Sequence, residues 1–318
     1  MRHTILGAGG IGGLIGAVLA KSGHDVTLVV RPGTERDQPR TLSLESPFGR
    51  VTEQVEVVAE LSEPAGVLWV TVKATQLGAA LGQIATTTDA EAVVPLLNGI
   101  DHVDVLRDRF GREPVIPATI GVESERVAPG QIVQRSPFVR LRVSERGRPI
   151  LTDAIEDLQR FGFECTFVDD EITLLWSKLV FLAPVALSTT AARATLGQVR
   201  AAPERREMLH AAIREACAVA VAAGGQVDAD AVIANVEAMP APMRSSMQKD
   251  QESGRPLELD AIAGPILRGG ARFAIPVPVT ERLARACDEL AHGAGDVALS
   301  AVDSRTRSGT RSPPLPPA

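Results

Sequence analysis

Residues 2–12, RHTILGAGGIG, constrain the fold more than any other stretch: a short apolar strand runs straight into Gly7-Ala8-Gly9-Gly10-Ile11-Gly12 and then into a helix reaching about Ser22. A strand that turns so abruptly into a helix needs Gly7 for the turn. Gly9 lets backbone approach an anion, Gly12 lets the helix lie close on the strand, and the amides of the first helical turn face negative charge. GxGxxG alone says little; a strand before it and a second strand, Val26–Val30, after it supply the βαβ context that gives it meaning. The stretch predicts a Rossmann-type, doubly wound parallel α/β sheet that binds a dinucleotide through residues 7–12.

The second strand ends at Arg31, where an NAD site would place a carboxylate for the ribose hydroxyl. An arginine instead attracts a 2′-phosphate and can grip it at two points, with Arg36 in reach to share it. The expected cofactor is NADPH/NADP; the plain alternative is a solvated strand-end arginine. Leu42–Val58 alternates about Ser46-Pro47-Phe48-Gly49, which predicts a strand pair extending the same sheet. Val67–Val72 and Ala92–Leu97 read as buried parallel strands ending at Lys73-Ala74-Thr75-Gln76 and Asn98-Gly99. Lys73, Gln76 and Asn98 thus fall at the sheet edge where open α/β folds bind ligands, against a reading of Lys73 as solvated and Asn98 as a turn residue before glycine. Two or three further strands are expected over 115–143 with a hairpin at Pro129-Gly130, then a helix over Pro149–Gly162 and a last strand at Glu164–Val168.

Beyond Asp169 only helical periodicity remains, over 170–196, 203–223, 227–239, 257–271 and 278–292. A chain of 318 residues exceeds what one core usually holds. The expected organisation is a nucleotide-binding domain at 1–168, an all-α C-terminal domain at 169–293 and a disordered Ser/Arg/Gly/Pro tail at 294–318. The helix beginning EITLLWSKLVFLAPVAL carries Trp176, Leu179, Val180, Ala183 and Leu187 on an inward stripe, and Lys178 is the sole cation between Asp170 and Arg193. An ammonium in such surroundings is costly unless it has a partner or a task, or unless its stem snorkels to water.

A net charge of −6 with 23% charged residues gives no basic footprint for nucleic acid. Cys165, Cys217 and Cys287 are odd in number and far apart, which predicts neither a disulfide framework nor a metal cluster and fits a reducing cytoplasm. The glycine-punctuated first apolar run reads as strand, turn and helix rather than a signal peptide, and no membrane span is expected.

Taken together, GAGGIG at 7–12, Arg31, VKATQ at 72–76, Asn98-Gly99, WSKL at 176–179 and SSMQKDQESGRPLELDAIAG at 245–264 resemble the ketopantoate reductase (2-dehydropantoate 2-reductase) family, over nearly everything up to about residue 290. The resemblance implies NADPH-dependent reduction of a small 2-oxo acid. It implies Lys178 as catalytic acid, Glu258 and Ser246 on the substrate, and Lys73 and Asn98 beside nicotinamide and lysine. Residue by residue, Pro256 would otherwise put Glu258 into a helix-capping place, and Ser246 would cap the helix after Pro240 and Pro242.

The departures from the family pattern lie in one place. Asparagines usual four and eight residues after the lysine are Leu182 and Ala186, and one usual three residues before the second serine is Met243. A wall without those amides suits a less polar oxo, imino or alcohol substrate than ketopantoate. Two other readings stay open: a non-catalytic NADP(H)-responsive binding protein, and a hydroxyacid dehydrogenase working in the oxidative direction. A homodimer through the helical domain is expected.

Overall fold

The computed structural model describes residues 1–293, and the tail at 294–318 lies outside the described residues. Its N-terminal half is built on five parallel strands, β1 (Arg2–Leu6), β2 (Asp25–Val29), β5 (Glu56–Val58), β6 (Val67–Val70) and β7 (Ala92–Pro95), in the order β5-β2-β1-β6-β7. Winding runs outward in both directions from β1, so the chain reverses between β1 and β6, and the crevice above that point is where such sheets take ligands. Alternate side chains of each strand serve opposite faces. Ile5, Leu28 and Trp69 pack with α1 (Gly10–Lys21), and Leu6, Val29 and Leu68 with α2 (Leu77–Leu81) and α3 (His102–Phe110).

The strand pair expected to extend this sheet does not do so. β3 (Thr41–Ser46) and β4 (Gly49–Gln54) join β9 (Ser124–Ala128) and β10 (Gln131–Gln134) in a separate sheet ordered β4-β3-β10-β9; only β5 adds to the main one. Alternation marks a strand with one wet face, and nothing in it names the partner. The dry face lies on α1, whose glycines make room: a Cβ on Gly13 would meet Ile132 at 2.3 Å, and one on Gly16 would meet Leu42 at 3.3 Å. Residues 115–143 hold four strands where two or three were expected. Besides the β9–β10 hairpin at Pro129-Gly130 there are β8 (Ala118–Gly121) and β11 (Arg140–Ser144), which form a third sheet with β12 (Glu164–Val168); α4 (Arg148–Phe161) precedes that last strand.

From Glu171 every described element is helical: α5 (Glu171–Ala192), α6 (Leu196–Ala201), α7 (Pro203–Ala222), α8 (Ala229–Ala238), α9 (Ser246–Glu252), α10 (Leu259–Phe273) and α11 (Pro278–Ala291). Asp170 starts α5 by accepting the amides of Ile172 and Thr173 at 3.0 and 3.1 Å. The predicted stripe is inside: Trp176, Leu179, Val180, Ala183 and Leu187 are all buried against α7, α9, α10 and α11. By length and composition α5 could cross a membrane, contrary to the expectation of no such segment, but it is the central helix of this bundle and is 61% buried over its most apolar stretch. The helix weighed after Pro240 and Pro242 is α9, with its start one residue away from that reading. Its cap is Ser245, which accepts the Gln248 amide at 3.1 Å, so Ser246 is its first helical residue and not the cap.

Candidate active site

The carboxyl ends of β6 and β7 face the start of α10 and the middle of α5, and three polar side chains connect them. Lys178 Nζ on α5 donates to Asn98 Oδ1 just past β7, at 3.1 Å. Asn98 Nδ2 donates to Glu258 Oε2 at 3.1 Å, and the other Glu258 oxygen accepts the backbone amide of Ala74 at 2.8 Å. Glu258 is 6% exposed, and a carboxylate so enclosed needs such donors to stay there. It occupies the N-cap position of α10, yet its side chain caps nothing, so the capping alternative fails and Leu259 is the first helical residue. Lys73 closes on Asp250 of α9 at 2.5 Å instead of pointing to water, and Arg255 holds the other Asp250 oxygen at 2.8 Å.

Loss of solvent around the Lys178 ammonium pushes its pKa down to about 8, with the Glu258 carboxylate acting in the opposite sense. An amine poised near neutrality is suited to proton transfer. His102, the first residue of α3, is 5% exposed. Burial, and then the Lys178 charge, lower the pKa of its imidazole to about 3, with the Asn98 carbonyl working against them.

Packing fixes the relative register of α3 and α5. Glu171, Leu175 and Lys178 recur on one face of α5: Glu171 takes Arg107 of α3 at 2.7 Å, Leu175 packs on the cluster holding Val103 and Leu106, and Lys178 reaches Asn98. α10 is seated as closely. Gly99 has φ +82°, and a Cβ there would meet the Ala261 carbonyl oxygen at 2.3 Å. Asp101 pairs with Arg268 of α10.

The glycine-rich turn fits a dinucleotide on its own geometry. Gly7 has φ +105°, and a Cβ on Gly12 would meet the Gly7 carbonyl at 2.2 Å and Thr71 Oγ1 at 2.4 Å, so the helix is pressed onto the turn. Gly10 is equally tight, under the Ser124 carbonyl at 2.2 Å. Gly9 alone in the motif faces open space, with nothing within 4 Å of its Cβ position, which is the side a pyrophosphate approaches. Ala8 is buried, and Ile11 is half-buried against the sheet core.

Arg31 and Arg36 are exposed, and among the described residues neither makes an ion pair. Gln76 is exposed at the end of a single 3-10 turn, and Ser246 is exposed on α9. Leu182 and Met243 are half-buried, whereas Ala186, 1% exposed, is enclosed in the helical core. Sequence reasoning assigned no role to Asp250 or His102. The five-residue step from Asp250 to Arg255 was a usable signal; nothing around His102 was.

A dinucleotide turn facing a lysine across a crevice between a Rossmann-type half and a helical half defines a class: nicotinamide-nucleotide oxidoreductases acting on a CH–OH/C=O pair. Within that class the chain belongs to the ketopantoate reductase PanE/ApbA family, whose N-terminal part matches residues 3–146 and whose C-terminal part matches residues 171–291. It is 29% identical over 294 residues to an uncharacterized oxidoreductase, YkpB, of Bacillus subtilis, covering 88% of this chain and 96% of that one. It is also 29% identical to the 2-dehydropantoate 2-reductase of Caulobacter vibrioides, covering 86% and 94%. Among solved structures, a PanE/ApbA family ketopantoate reductase from Ralstonia eutropha superposes with TM-score 0.81 at 24% identity, over 92% of this chain and 99% of that one. A D-mandelate dehydrogenase solved with NADH and anilino(oxo)acetate superposes with TM-score 0.80 at 20% identity, over 92% and 99%, a likeness of fold.

Proposed function

We propose that this protein is an NADPH-dependent reductase of a 2-oxo acid, or a related carbonyl or imine, whose side chain is less polar than that of ketopantoate. Lys178 is its general acid. The observation that carries the reading is the chain from Lys178 through Asn98 to Glu258 across the crevice above β6 and β7. The reduced nicotinamide, when bound, supplies a hydride. As the carbonyl carbon accepts it, the C=O π pair moves onto oxygen, where the Lys178 ammonium stabilises the growing charge and delivers its proton. Asn98 aims the ammonium, and Glu258, tied to the Ala74 amide, keeps Asn98 from turning. Ser246, exposed at the start of α9, is the substrate-side hydroxyl.

Residues 7–12 hold the pyrophosphate, Arg31 takes the 2′-phosphate, and Lys73, Gln76 and Asn98 line the nicotinamide end. In this reading residues 1–168 bind the nucleotide and 169–293 bind substrate, in a cytoplasmic homodimer joined through the helical half. Leu182 and Met243, two of the three positions where the family usually has asparagines, make the substrate wall apolar, while the third, Ala186, is enclosed in the helical core and does not line it. The test is NADPH oxidation across a panel of 2-oxo acids with aliphatic, aromatic and hydroxylated side chains. The apolar acids should react with the higher kcat/KM, and ketopantoate turning over as fast as every other acid would sink the specificity claim.

A further inference from the structure

Ser246 stands on a helix with little hydrophobic purchase: α9 is seven residues long and buries Gln248 and Asp250 beside a single apolar side chain, Met247. Polar contacts therefore have to place it. On one side Lys73 and Glu123 of the N-terminal half pair with Asp250 and Lys249. On the other, Thr189 of α5 meets Ser245, the cap of α9, hydroxyl to hydroxyl at 3.0 Å.

Ser188, Thr189 and Thr190 are consecutive and all buried, yet of their hydroxyls only that of Thr189 has partners among the described residues. Thr189 Oγ1 lies 2.8 Å from the Val185 carbonyl oxygen, which can only accept. Ser245 Oγ accepts the Gln248 amide at 3.1 Å, and among the described residues the acceptor open to its own proton is Thr189 Oγ1. One direction satisfies both protons: Thr189 donates to Val185, and Ser245 donates to Thr189 while a lone pair takes the Gln248 amide. The reverse order strands a buried hydroxyl proton, which is costly.

Thr189 follows Lys178 by eleven residues on a helix that runs unbroken through Pro184. Eleven residues are three turns within about 20°, so both side chains leave one face of α5 about 16 Å apart along its axis. From these contacts we infer that Thr189 is a positioning residue for the substrate site: it aims the Ser245 hydroxyl, Ser245 caps α9, and the cap holds the adjoining Ser246 in place. One helix thus carries the acid and sets the seat of the substrate. The chain entering α9 is pinned separately, with the Ala241 and Met243 carbonyls accepting the Gly197 and Leu196 amides at 2.9 Å, so loss of the relay should disturb α9 and leave the Met243 wall where it is.

The inference rests on the reading of Ser246 as the substrate-side hydroxyl, so one arm of its test runs without substrate. Thr189→Val keeps the shape and removes the hydroxyl. It should raise KM for the preferred oxo acid about three- to tenfold while kcat and KM for NADPH stay within about twofold, and Thr189→Ser should restore the wild-type value. A wild-type KM in Thr189→Val overturns the inference, and so does an equal loss in Thr189→Ser, which would report packing of the methyl group alone. Ser245→Ala cuts the relay from its other end and serves if Thr189→Val does not fold: the same split is expected, and an unchanged KM for the oxo acid overturns the inference there too.

In the second arm, amide hydrogen exchange of the unliganded protein, the Gln248 amide should exchange about three- to tenfold faster in Thr189→Val and at the wild-type rate in Thr189→Ser. Equal rates in all three proteins overturn the contact. Failure to find any oxo acid substrate would remove the reductase reading and leave this second result to decide whether Thr189 holds the cap.

Discussion

Lys178 and Asn98 are separated by 80 positions in sequence and by 3.1 Å in space. One lies in the middle of the bundle's central helix, the other at the carboxyl end of a strand of the parallel sheet, so the bond between them exists only when the two halves are docked. Glu258 makes the same crossing from the start of α10, through the Ala74 amide and Asn98.

Lys178→Ala should lower kcat by about 10²- to 10⁴-fold, the range general acids supply, while NADPH binding followed by fluorescence changes little. Equal losses of turnover and of NADPH affinity would show that the lysine only holds the fold together.

Because the pKa of Lys178 is lowered to about 8, reduction should fade as the pH rises through that value and the ammonium becomes an amine. Stability should move the other way. Between about 8 and the ordinary lysine value of 10.5 the unfolded chain binds more protons at this residue than the folded one, so its contribution to stability rises with pH. Denaturant midpoints of wild type and Lys178→Met across pH 7.5–10 check this, with the slope difference expected to favour the wild type.

Gly12 and Gly9 should separate fold from ligand. Gly12→Ala drives a methyl into the Gly7 carbonyl and Thr71 and should cost about 1–3 kcal/mol in chemical denaturation. Gly9→Ala meets nothing within 4 Å, so it should keep its midpoint and lose roughly tenfold or more in NADPH affinity, about 1.4 kcal/mol.

Arg31→Ala should raise KM for NADPH by about tenfold, consistent with loss of one charge-assisted contact, and leave KM for NADH nearly where it was. An equal rise for both nucleotides would place Arg31 outside the 2′-phosphate site.

Features set by local constraint were legible in the sequence. The turn at 7–12 could be read because a strand meeting a helix so abruptly demands glycine at fixed steps, and Lys178 because a lone cation in an apolar helix is conspicuous. The partner of β3 could not be read, since pairing with β10 joins residues nearly ninety apart, as Ser43 with Gln131, and alternation is silent on distance. Helix α9 was marked only by its capping serines, because its seven residues bury Gln248 and Asp250 beside Met247, which leaves no apolar period to fix its bounds. Glu258 was ambiguous for a related reason: Pro256 signals a helix start, and only the docked sheet reveals that the carboxylate looks away from that helix. His102 is hidden entirely in NGIDHVDVL, where nothing in the local pattern separates a buried imidazole from an exposed one.

Glu258 spans the crevice with one oxygen on a backbone amide and the other on the amide that aims Lys178. If the two halves part to admit the nucleotide of the proposed reaction, those contacts break with them, and the proposed proton donor is held in line only when the halves come together again.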